Sequence, residues 1–323
     1  MTDKTTSSDL TKAPDLDATP IGITTPAGGE ATEARSLASD AWRELRQRPL
    51  FWVSLAIIAV FVLMAIFPQL FTRLDPTDAD LAKGSDPPSF TWNGAWFGYD
   101  LQGYDIYART IYGARASILV GVFATILTSL LGVLIGTFAA YAGGWVDSLM
   151  MRVTDIFFAI PFLLGGILFM TTFANDANTG YFVIVGKVVL VLAILGWPSI
   201  ARLMRGSVLQ VKPNDYVQAA RALGASPWRI IRSHILPNAM APVLIVSMIN
   251  LGAYISAEAS LSFLGIGLTP PAISWGVAIS DSLVYIRTAP HMLIFPSIFL
   301  SLTVLGFIML GDVVRDAFDP KTR

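Results

Sequence analysis

Long runs of apolar residues without a single charge constrain this chain more than any other feature of its sequence. Leu50–Phe71 is uncharged and would form about 33 Å of helix, enough to cross the roughly 30 Å hydrocarbon core of a bilayer. Only 14% of the 323 residues are charged, against about 25% in a typical globular protein. The sequence therefore predicts an all-α membrane protein and excludes a soluble globular one.

Six such runs are predicted to be transmembrane helices. They are Leu50–Phe71, Ala116–Ala142, Ile156–Ala174, Tyr181–Ala201 with Lys187 inside it, Ala239–Ala257 continued past Glu258 to Leu268, and Met292–Gly311. With a cytoplasmic N terminus, thirteen Lys and Arg residues lie inside and five outside, leaving out residues 1–40 and Lys187. This is the bias of the positive-inside rule, so the topology is predicted to be N-in and C-in.

The stretch Ala259–Ser280 is also free of charge. We interpret it as the end of the fifth span followed by a loop, because Pro270, Pro271 and Gly276 interrupt it. Counting it as a seventh span would move three basic residues to the outside and weaken the positive-inside bias.

The chain is predicted to have three parts. Residues 1–40 are rich in Thr, Ser, Ala, Pro and Gly and are predicted to be a disordered cytoplasmic tail. Residues 41–115 hold the first span and an extracytoplasmic loop, and residues 116–323 hold the other five spans. Within this last part, residues 202–239 are predicted to form a cytoplasmic helical hairpin.

The first helix of this hairpin has clear start and stop signals. Asp215 is predicted to cap its N terminus, with Gln218 completing a capping box, and Gly224 is predicted to end it. Small residues beside the basic Arg221 favour docking on a carboxylate of a partner protein, while the basic residues alone equally favour contact with anionic lipid headgroups. Spacing does not decide between these two interpretations.

The second helix of the hairpin is predicted from Ser226 onward. Ser226 is an N-cap residue, and Pro227 occupies the first helical position, where its missing N–H costs nothing. Pro237 is predicted to mark the boundary between this helix and the fifth span.

Several signatures of catalytic chemistry are missing from the sequence. It contains no phosphate-binding G-x-x-x-x-G-K-[ST] loop, no H-E-x-x-H motif and no cysteine, and His234 and His291 are its only histidines. The chain is therefore predicted to bind no metal or cofactor itself and not to be an enzyme.

One segment of the hairpin resembles a known family. Tyr216–Asn238, YVQAARALGASPWRIIRSHILPN, is similar to the EAA loop of ABC importer permeases, in which EAA is followed three residues later by Gly and then by I-x-L-P. Gln218 stands where the family has Glu, and His234 stands where the consensus Ile falls. An ionic contact made by the family's Glu is therefore not expected here.

Three further segments resemble the second permease subunit of dipeptide and oligopeptide importers. They are Gly98–Ser117, Glu258–Gly276 and Leu310–Pro320. The resemblance covers the chain from about Trp42 onward and implies the type I ABC importer permease fold in the cytoplasmic (inner) membrane.

The resemblance also implies partners and a coupling site. The coupling residues would dock on an ATPase subunit; they are Gln218, Ala219, Ala220, Arg221, Gly224, Leu236 and Pro237. The implied partners are a second homologous permease, two ATPase subunits that hold ATP and Mg, an extracytoplasmic binding protein and membrane lipid, with no nucleic acid. The implied substrate is a dipeptide or oligopeptide.

The sequence does not decide the role of every polar residue near the spans. Glu258 either lines the substrate pathway, with Asn250 and Ser262, and meets a peptide's amino terminus, or anchors the outer end of span five through the backbone or Ser260. Lys187 is predicted to snorkel to the outer interface.

The sequence also indicates roles for the acidic residues that flank the spans. Asp100 and Asp105 either cap turns, which is favoured, or contact an extracytoplasmic partner. Asp147, Arg152 and Asp155 are predicted to form local ion pairs.

Three alternatives accompany the predicted function. An ion-coupled secondary transporter would also need membrane spans, but it should carry several intramembrane acids and an internal repeat. A membrane scaffold without transport activity would not explain the segment matches. An ABC permease for nickel or another small solute would share every motif described above.

Overall fold

The computed structural model describes residues 37–90, 95–176 and 178–318, and these ranges are almost entirely helical without a β-strand. Eleven α-helices follow one another in these ranges: α1 Leu37–Gln47, α2 Pro49–Ile66, α3 Ile106–Ala142, α4 Gly144–Phe158, α5 Phe162–Thr172, α6 Tyr181–Val211, α7 Asp215–Ala222, α8 Pro227–Ile230, α9 Leu236–Phe263, α10 Trp275–Ser282 and α11 His291–Phe318. Residues 1–36 of the predicted tail lie outside the described residues. Its last four residues belong to α1, so the predicted boundary at residue 40 falls inside a helix.

Five helical runs among the described residues are long and apolar enough to cross a membrane. They are α2, α3, α6, α11 and the continuous run Pro227–Phe263, and the pair α4 and α5 gives a sixth span if the two are counted together. The predicted third span is broken into two helices, because α4 and α5 meet at an angle of 82°. Pro161 lies in the break, directly before α5; it has no N–H and disfavours helical geometry in the residue before it.

Two other span boundaries differ from the prediction. The first span ends as a helix at Ile66, where Pro68 begins a short 3₁₀ turn, Pro68–Leu70. The second span begins ten residues earlier than predicted, at Ile106, because Asp105 caps α3 by accepting a hydrogen bond from the Ala108 amide at 2.8 Å.

The interior of the fold is centred on α3, α6 and α9. Gly132 and Gly136 of α3 face α6, and a Cβ atom on Gly132 would lie only 2.5 Å from Cβ of Ile200. The absence of a side chain at these positions lets the two helices approach closely. Leu, Phe and Ile side chains on the outer sides of the spans remain exposed, as expected for surfaces that meet lipid or partner helices.

Two long connections lie on the extracytoplasmic side. The chain between α2 and α3 is held by isolated bridges from Ala79 to Tyr104 and from Tyr99 to Asp105. Between α9 and α11, residues 264–274 form a loop that leads into the short α10. The interpretation of Ala259–Ser280 as the end of a span plus a loop is therefore confirmed.

Candidate functional site

The predicted cytoplasmic hairpin is present, but it is shorter than predicted. Its predicted start at residue 202 is wrong, because α6 continues as a helix to Val211. The structure therefore defines the hairpin as residues 212–235, which contain α7, α8 and a π-helical turn at Ile231–Ile235.

The start of α7 differs from the predicted capping box. Asn214, not Asp215, is the N-cap residue, and no side chain caps the helix. Gln218 instead turns back toward α6, where its Nε2 donates a hydrogen bond to the Lys212 carbonyl oxygen at 2.9 Å. The end of α7 is as predicted: Gly224 has a φ of +78°, a conformation that favours glycine.

The second half of the hairpin runs into span five without a break. Ser226 caps α8 by accepting a hydrogen bond from the Arg229 amide at 3.4 Å, with Pro227 in the first turn, as predicted. Pro237 does not separate the hairpin from the span, because Pro227–Phe263 forms one helical run. The π-helical turn at Ile231–Ile235 directly precedes Pro237, whose ring removes a backbone donor.

The inner face of the hairpin packs on the membrane helices. Val217, Ile230 and Ile235 are buried in one apolar cluster with Met204 and Val208 of α6. Ala220 and Leu236, two of the predicted coupling residues, are half-buried against this cluster. These residues attach the hairpin rigidly to α6.

The outer face of the hairpin is open. The predicted coupling residues Gln218, Ala219, Arg221, Gly224 and Pro237 are exposed. Two large apolar side chains accompany them: Leu223 is 88% exposed and Trp228 is 68% exposed. Small, basic and large apolar side chains are therefore all exposed on the hairpin, and we call these residues together the coupling surface (Gln218, Ala219, Arg221, Leu223, Gly224 and Trp228).

Lys212 joins the hairpin to α3 and was not predicted to have a role in the site. Its Nζ donates hydrogen bonds to the carbonyl oxygens of Ala140 and Tyr141, at 3.0 and 2.9 Å. These carbonyls belong to the last turn of α3, where intrahelical donors run out and a cation is favourable. Since Gln218 bonds to the carbonyl of Lys212, one residue connects α7 to α3.

Two ion pairs fasten α4 to α6 beside the hairpin. Arg205 binds Asp147 through two hydrogen bonds of 2.6 Å, and Arg202 pairs with Asp155. The prediction of local pairing among Asp147, Arg152 and Asp155 is therefore wrong. Both acids of α4 instead bind basic residues of α6, and the bidentate geometry strengthens the Arg205 pair.

Glu258 lies deep inside the fold, between α3 and α9. It is 0% exposed, and its carboxylate accepts hydrogen bonds from the hydroxyls of Ser117 and Ser262, both at 2.8 Å. Ser262 also accepts a hydrogen bond from the Leu268 amide at 2.9 Å. Ser260, the predicted anchoring partner, instead donates to the carbonyl of Ser256.

The remaining pathway candidates lie near Glu258 in the chain. Ser262 is buried beside it, and Asn250 is half-buried on α9. A role for Glu258, Asn250 and Ser262 in the substrate pathway stays a prediction.

The extracytoplasmic acids Asp100 and Asp105 act as caps, which confirms the favoured interpretation. Asp100 accepts hydrogen bonds from the amides of Gln102 and Tyr104, both at 2.9 Å, and pairs with Arg109 at 3.1 Å. Asp105 is buried at the start of α3, and burial raises the pKa of its carboxyl although backbone hydrogen bonds oppose the shift. A contact with an extracytoplasmic partner stays a prediction.

Lys187 does not simply snorkel toward the interface. Its Nζ donates to the carbonyl oxygens of Phe173 and Ala174 and to Oδ1 of Asn175, at 3.0 to 3.1 Å. These acceptors lie just beyond the C terminus of α5, so Lys187 caps one half of the broken third span.

Comparison with known proteins decides the family. Residues 132–323 match the model of the binding-protein-dependent transport system inner membrane component, and residues 36–88 match that of the N-terminal TM domain of oligopeptide transport permease C. The oligopeptide transport system permease protein OppC of Bacillus subtilis (strain 168) is 40% identical over 94% of this chain and 98% of its own length. This chain belongs to the binding-protein-dependent ABC permease family.

Other relatives of this ABC permease give the same result. The dipeptide transport system permease protein DppC of Bacillus subtilis (strain 168) is 38% identical over 89% of this chain and 87% of its own. The glutathione transport system permease protein GsiD of Pectobacterium atrosepticum is 36% identical over 87% of this chain and 92% of its own. The matches support a multi-pass membrane transport component and not an ion-coupled secondary transporter.

A solved structure confirms the fold of the ABC permease. A chain of the MetNI methionine ABC transporter in an inward-facing conformation matches 65% of this chain and 96% of its own length, with a TM-score of 0.52 and 20% identity. The predicted all-α, type I ABC importer permease fold is therefore confirmed.

Proposed function

We propose that this permease forms, with a second homologous permease subunit, the translocation pathway of a peptide importer. Two separate ATPase subunits hold ATP and Mg and drive transport, and an extracytoplasmic binding protein delivers a dipeptide or oligopeptide. The names of the relatives support the peptide substrate, since they refer to oligopeptide, dipeptide and glutathione transport.

The coupling surface is the observation that carries this proposal. Leu223 and Trp228 expose large apolar side chains, and exposed aromatic and aliphatic groups are typical of protein interfaces. Ala219 lies two residues after the buried Val217, on the opposite side of α7, so a partner can approach the helix closely. Arg221 adds a charged donor for a carboxylate of the ATPase. Lipid binding alone would not require small residues at this position.

The supports of the hairpin favour transmission of movement to the spans. Val217 packs on α6, and Gln218 is linked through Lys212 to the end of α3. Since α3 and α6 pack closely through Gly132 and Gly136, a displacement of α7 would move both helices together. This is the arrangement that alternating access driven by ATPase closure requires.

The test is transport by the reconstituted importer. The permease, its partner permease, the ATPase subunits and the binding protein are purified together and placed in proteoliposomes. We expect uptake of a labelled dipeptide that requires ATP and is unaffected when proton and sodium gradients are collapsed. Uptake of nickel but not of peptide would overturn the peptide assignment, and gradient-driven uptake without ATP would overturn the coupling mechanism.

A further inference from the structure

A cavity of about 570 Å³ opens on the extracytoplasmic side, between the loop that precedes α3 and the short helix α10. Its walls are mostly apolar and include Ile106, Pro271, Ile273, Val277 and Met292. Three charged residues, Asp100, Arg109 and Asp281, also line it. Small-molecule sites commonly have this size, with apolar walls and a few polar groups that fix the ligand's orientation.

Arg109 is already paired with another residue of the cavity wall. Its guanidinium donates to Oδ2 of Asp100 at 3.1 Å, and both side chains are only one-fifth exposed. The same guanidinium lies 4.5 Å from the ring centroid of Tyr104, which holds it by a cation–π contact. The pair is therefore a fixed part of the wall.

Asp281 has no such partner. It lies on α10, where its carboxyl interacts electrostatically with both Arg109 and Asp100, but it forms no ion pair with any described residue. Burial raises the pKa of its carboxyl, with Asp100 adding to the rise and Arg109 opposing it. Two carboxylates and one guanidinium leave the cavity with one uncompensated negative charge, so a cationic ligand would be stabilised there.

We propose that this cavity is an entry site for the transported peptide, in which the Asp281 carboxylate accepts hydrogen bonds from the peptide's α-ammonium group. The inference rests on the proposed function and adds a recognition residue to it. The apolar wall would contact the first side chain of the peptide, and the Arg109–Asp100 pair would keep the wall in shape. The sequence suggested the buried Glu258 as the group that meets the peptide's amino terminus. Asp281 takes this role in the proposal, because a ligand can reach its carboxylate.

An organic ammonium fits this site better than a metal ion. Arg109 places a permanent positive charge beside the two carboxylates, which opposes a divalent cation. The described residues contain no group of three or more His, Cys, Asp or Glu side chains that could hold a metal. An ammonium group carries a single charge and donates hydrogen bonds that a carboxylate can accept.

The test uses the complete importer and two probes. One probe is a labelled dipeptide, and the other is its des-amino analogue, which lacks only the α-ammonium group. Uptake is measured for the wild type, Asp281→Asn and Asp281→Glu, and for Asp78→Asn as a matched control, because Asp78 is an exposed acid of the same face outside the cavity.

We expect Asp281→Asn to raise the KM for the dipeptide by roughly tenfold, as the loss of one charge-assisted hydrogen bond would do. The KM for the des-amino analogue should not change, Asp281→Glu should retain most of the dipeptide's affinity, and Asp78→Asn should behave as the wild type. Basal ATPase activity of each variant checks that the complex is assembled.

Two results would overturn the inference. The first is an unchanged KM for the dipeptide in Asp281→Asn. The second is an equal loss for both probes, which would indicate that Asp281 contacts the binding protein and not the peptide. Failure of the wild-type importer to take up either probe would instead count against the peptide substrate itself. This result differs from the two above, which concern Asp281 alone.

Discussion

The ammonium group of Lys212 donates a hydrogen bond of 2.9 Å to the carbonyl oxygen of Tyr141, at the C-terminal end of α3. The carbonyl of the same lysine accepts the side-chain amide of Gln218 from α7. The cytoplasmic hairpin and the central membrane helix are thus connected through one residue. This connection gives Gln218 a role that does not depend on the negative charge found at this position in the EAA motif.

Replacement of Lys212 by Met should weaken the connection between hairpin and α3. Two carbonyl oxygens of α3 would lose their donor, at a cost of about 1 to 2 kcal/mol. We expect the ATPase subunits still to co-purify, because the coupling surface is untouched, while peptide uptake per ATP hydrolysed falls. Lys212→Arg keeps the donors and serves as the control. Unchanged coupling in Lys212→Met would show that apolar packing alone transmits the movement.

A negative charge on the coupling surface should uncouple transport. We expect Gly224→Asp to insert normally in the membrane but to lose peptide uptake and bound ATPase. Gly224→Asn is the matched control, because Asn has nearly the same size and tolerates the positive φ of this position. A parallel pair, Ala219→Asp and Ala219→Ser, tests the exposed side of α7 without a backbone effect. Normal uptake by both Asp variants would contradict the docking assignment.

The sequence predicted several features that depend on neighbouring residues. The caps at Ser226 and Asp105 and the stop at Gly224 each involve groups within a few positions of one another, and all three are present. These signals are local or periodic, so they survive in a single sequence.

Contacts between distant residues could not be predicted in the same way. Lys212 lies 72 positions from Ala140, and Arg205 lies 58 positions from Asp147. Their pairing depends on which faces of α3, α4 and α6 meet, and this is set by packing in three dimensions. Asp281 was missed for the same reason, because its cavity forms only where α10 meets the loop before α3.

The pH dependence of stability should include a contribution from Asp105. Burial raises the pKa of this carboxyl above its unfolded value, so its contribution to stability is present at acidic pH and is lost as the pH rises through the raised pKa. Asp105→Asn keeps an N-cap acceptor without a charge, and we expect it to unfold at the same temperature as the wild type or higher at neutral pH. Asp105→Ala loses the cap and should be less stable by about 1 kcal/mol.

Thermal unfolding in detergent, followed from neutral pH down to about pH 4, measures these differences. The wild type should gain stability relative to Asp105→Asn as the pH falls through the raised pKa, because the carboxyl becomes neutral in the folded protein first. A difference between the two proteins that is independent of pH would show that the carboxyl of Asp105 does not titrate differently on folding.

The hydrogen-bond network of Glu258 should be essential for stability. Glu258→Ala leaves the hydroxyls of Ser117 and Ser262 without their acceptor and opens a cavity between α3 and α9, so we expect a loss of about 3 kcal/mol or more. Glu258→Gln retains an acceptor and should be milder. Ser260→Ala is the matched control, because the Ser260 hydroxyl donates to the carbonyl of Ser256 and not to Glu258, and it should change stability by less than about 0.5 kcal/mol.

Thermal unfolding of the assembled importer and peptide uptake separate the two roles considered for Glu258. If the carboxylate is an anchor, uptake per assembled complex should be near normal in Glu258→Gln, and the defect of Glu258→Ala should lie in assembly and melting temperature. If it instead lines the pathway, Glu258→Gln should assemble and melt as the wild type while uptake is lost. The anchor is expected, because both carboxylate oxygens are occupied by serine hydroxyls and the side chain is 0% exposed.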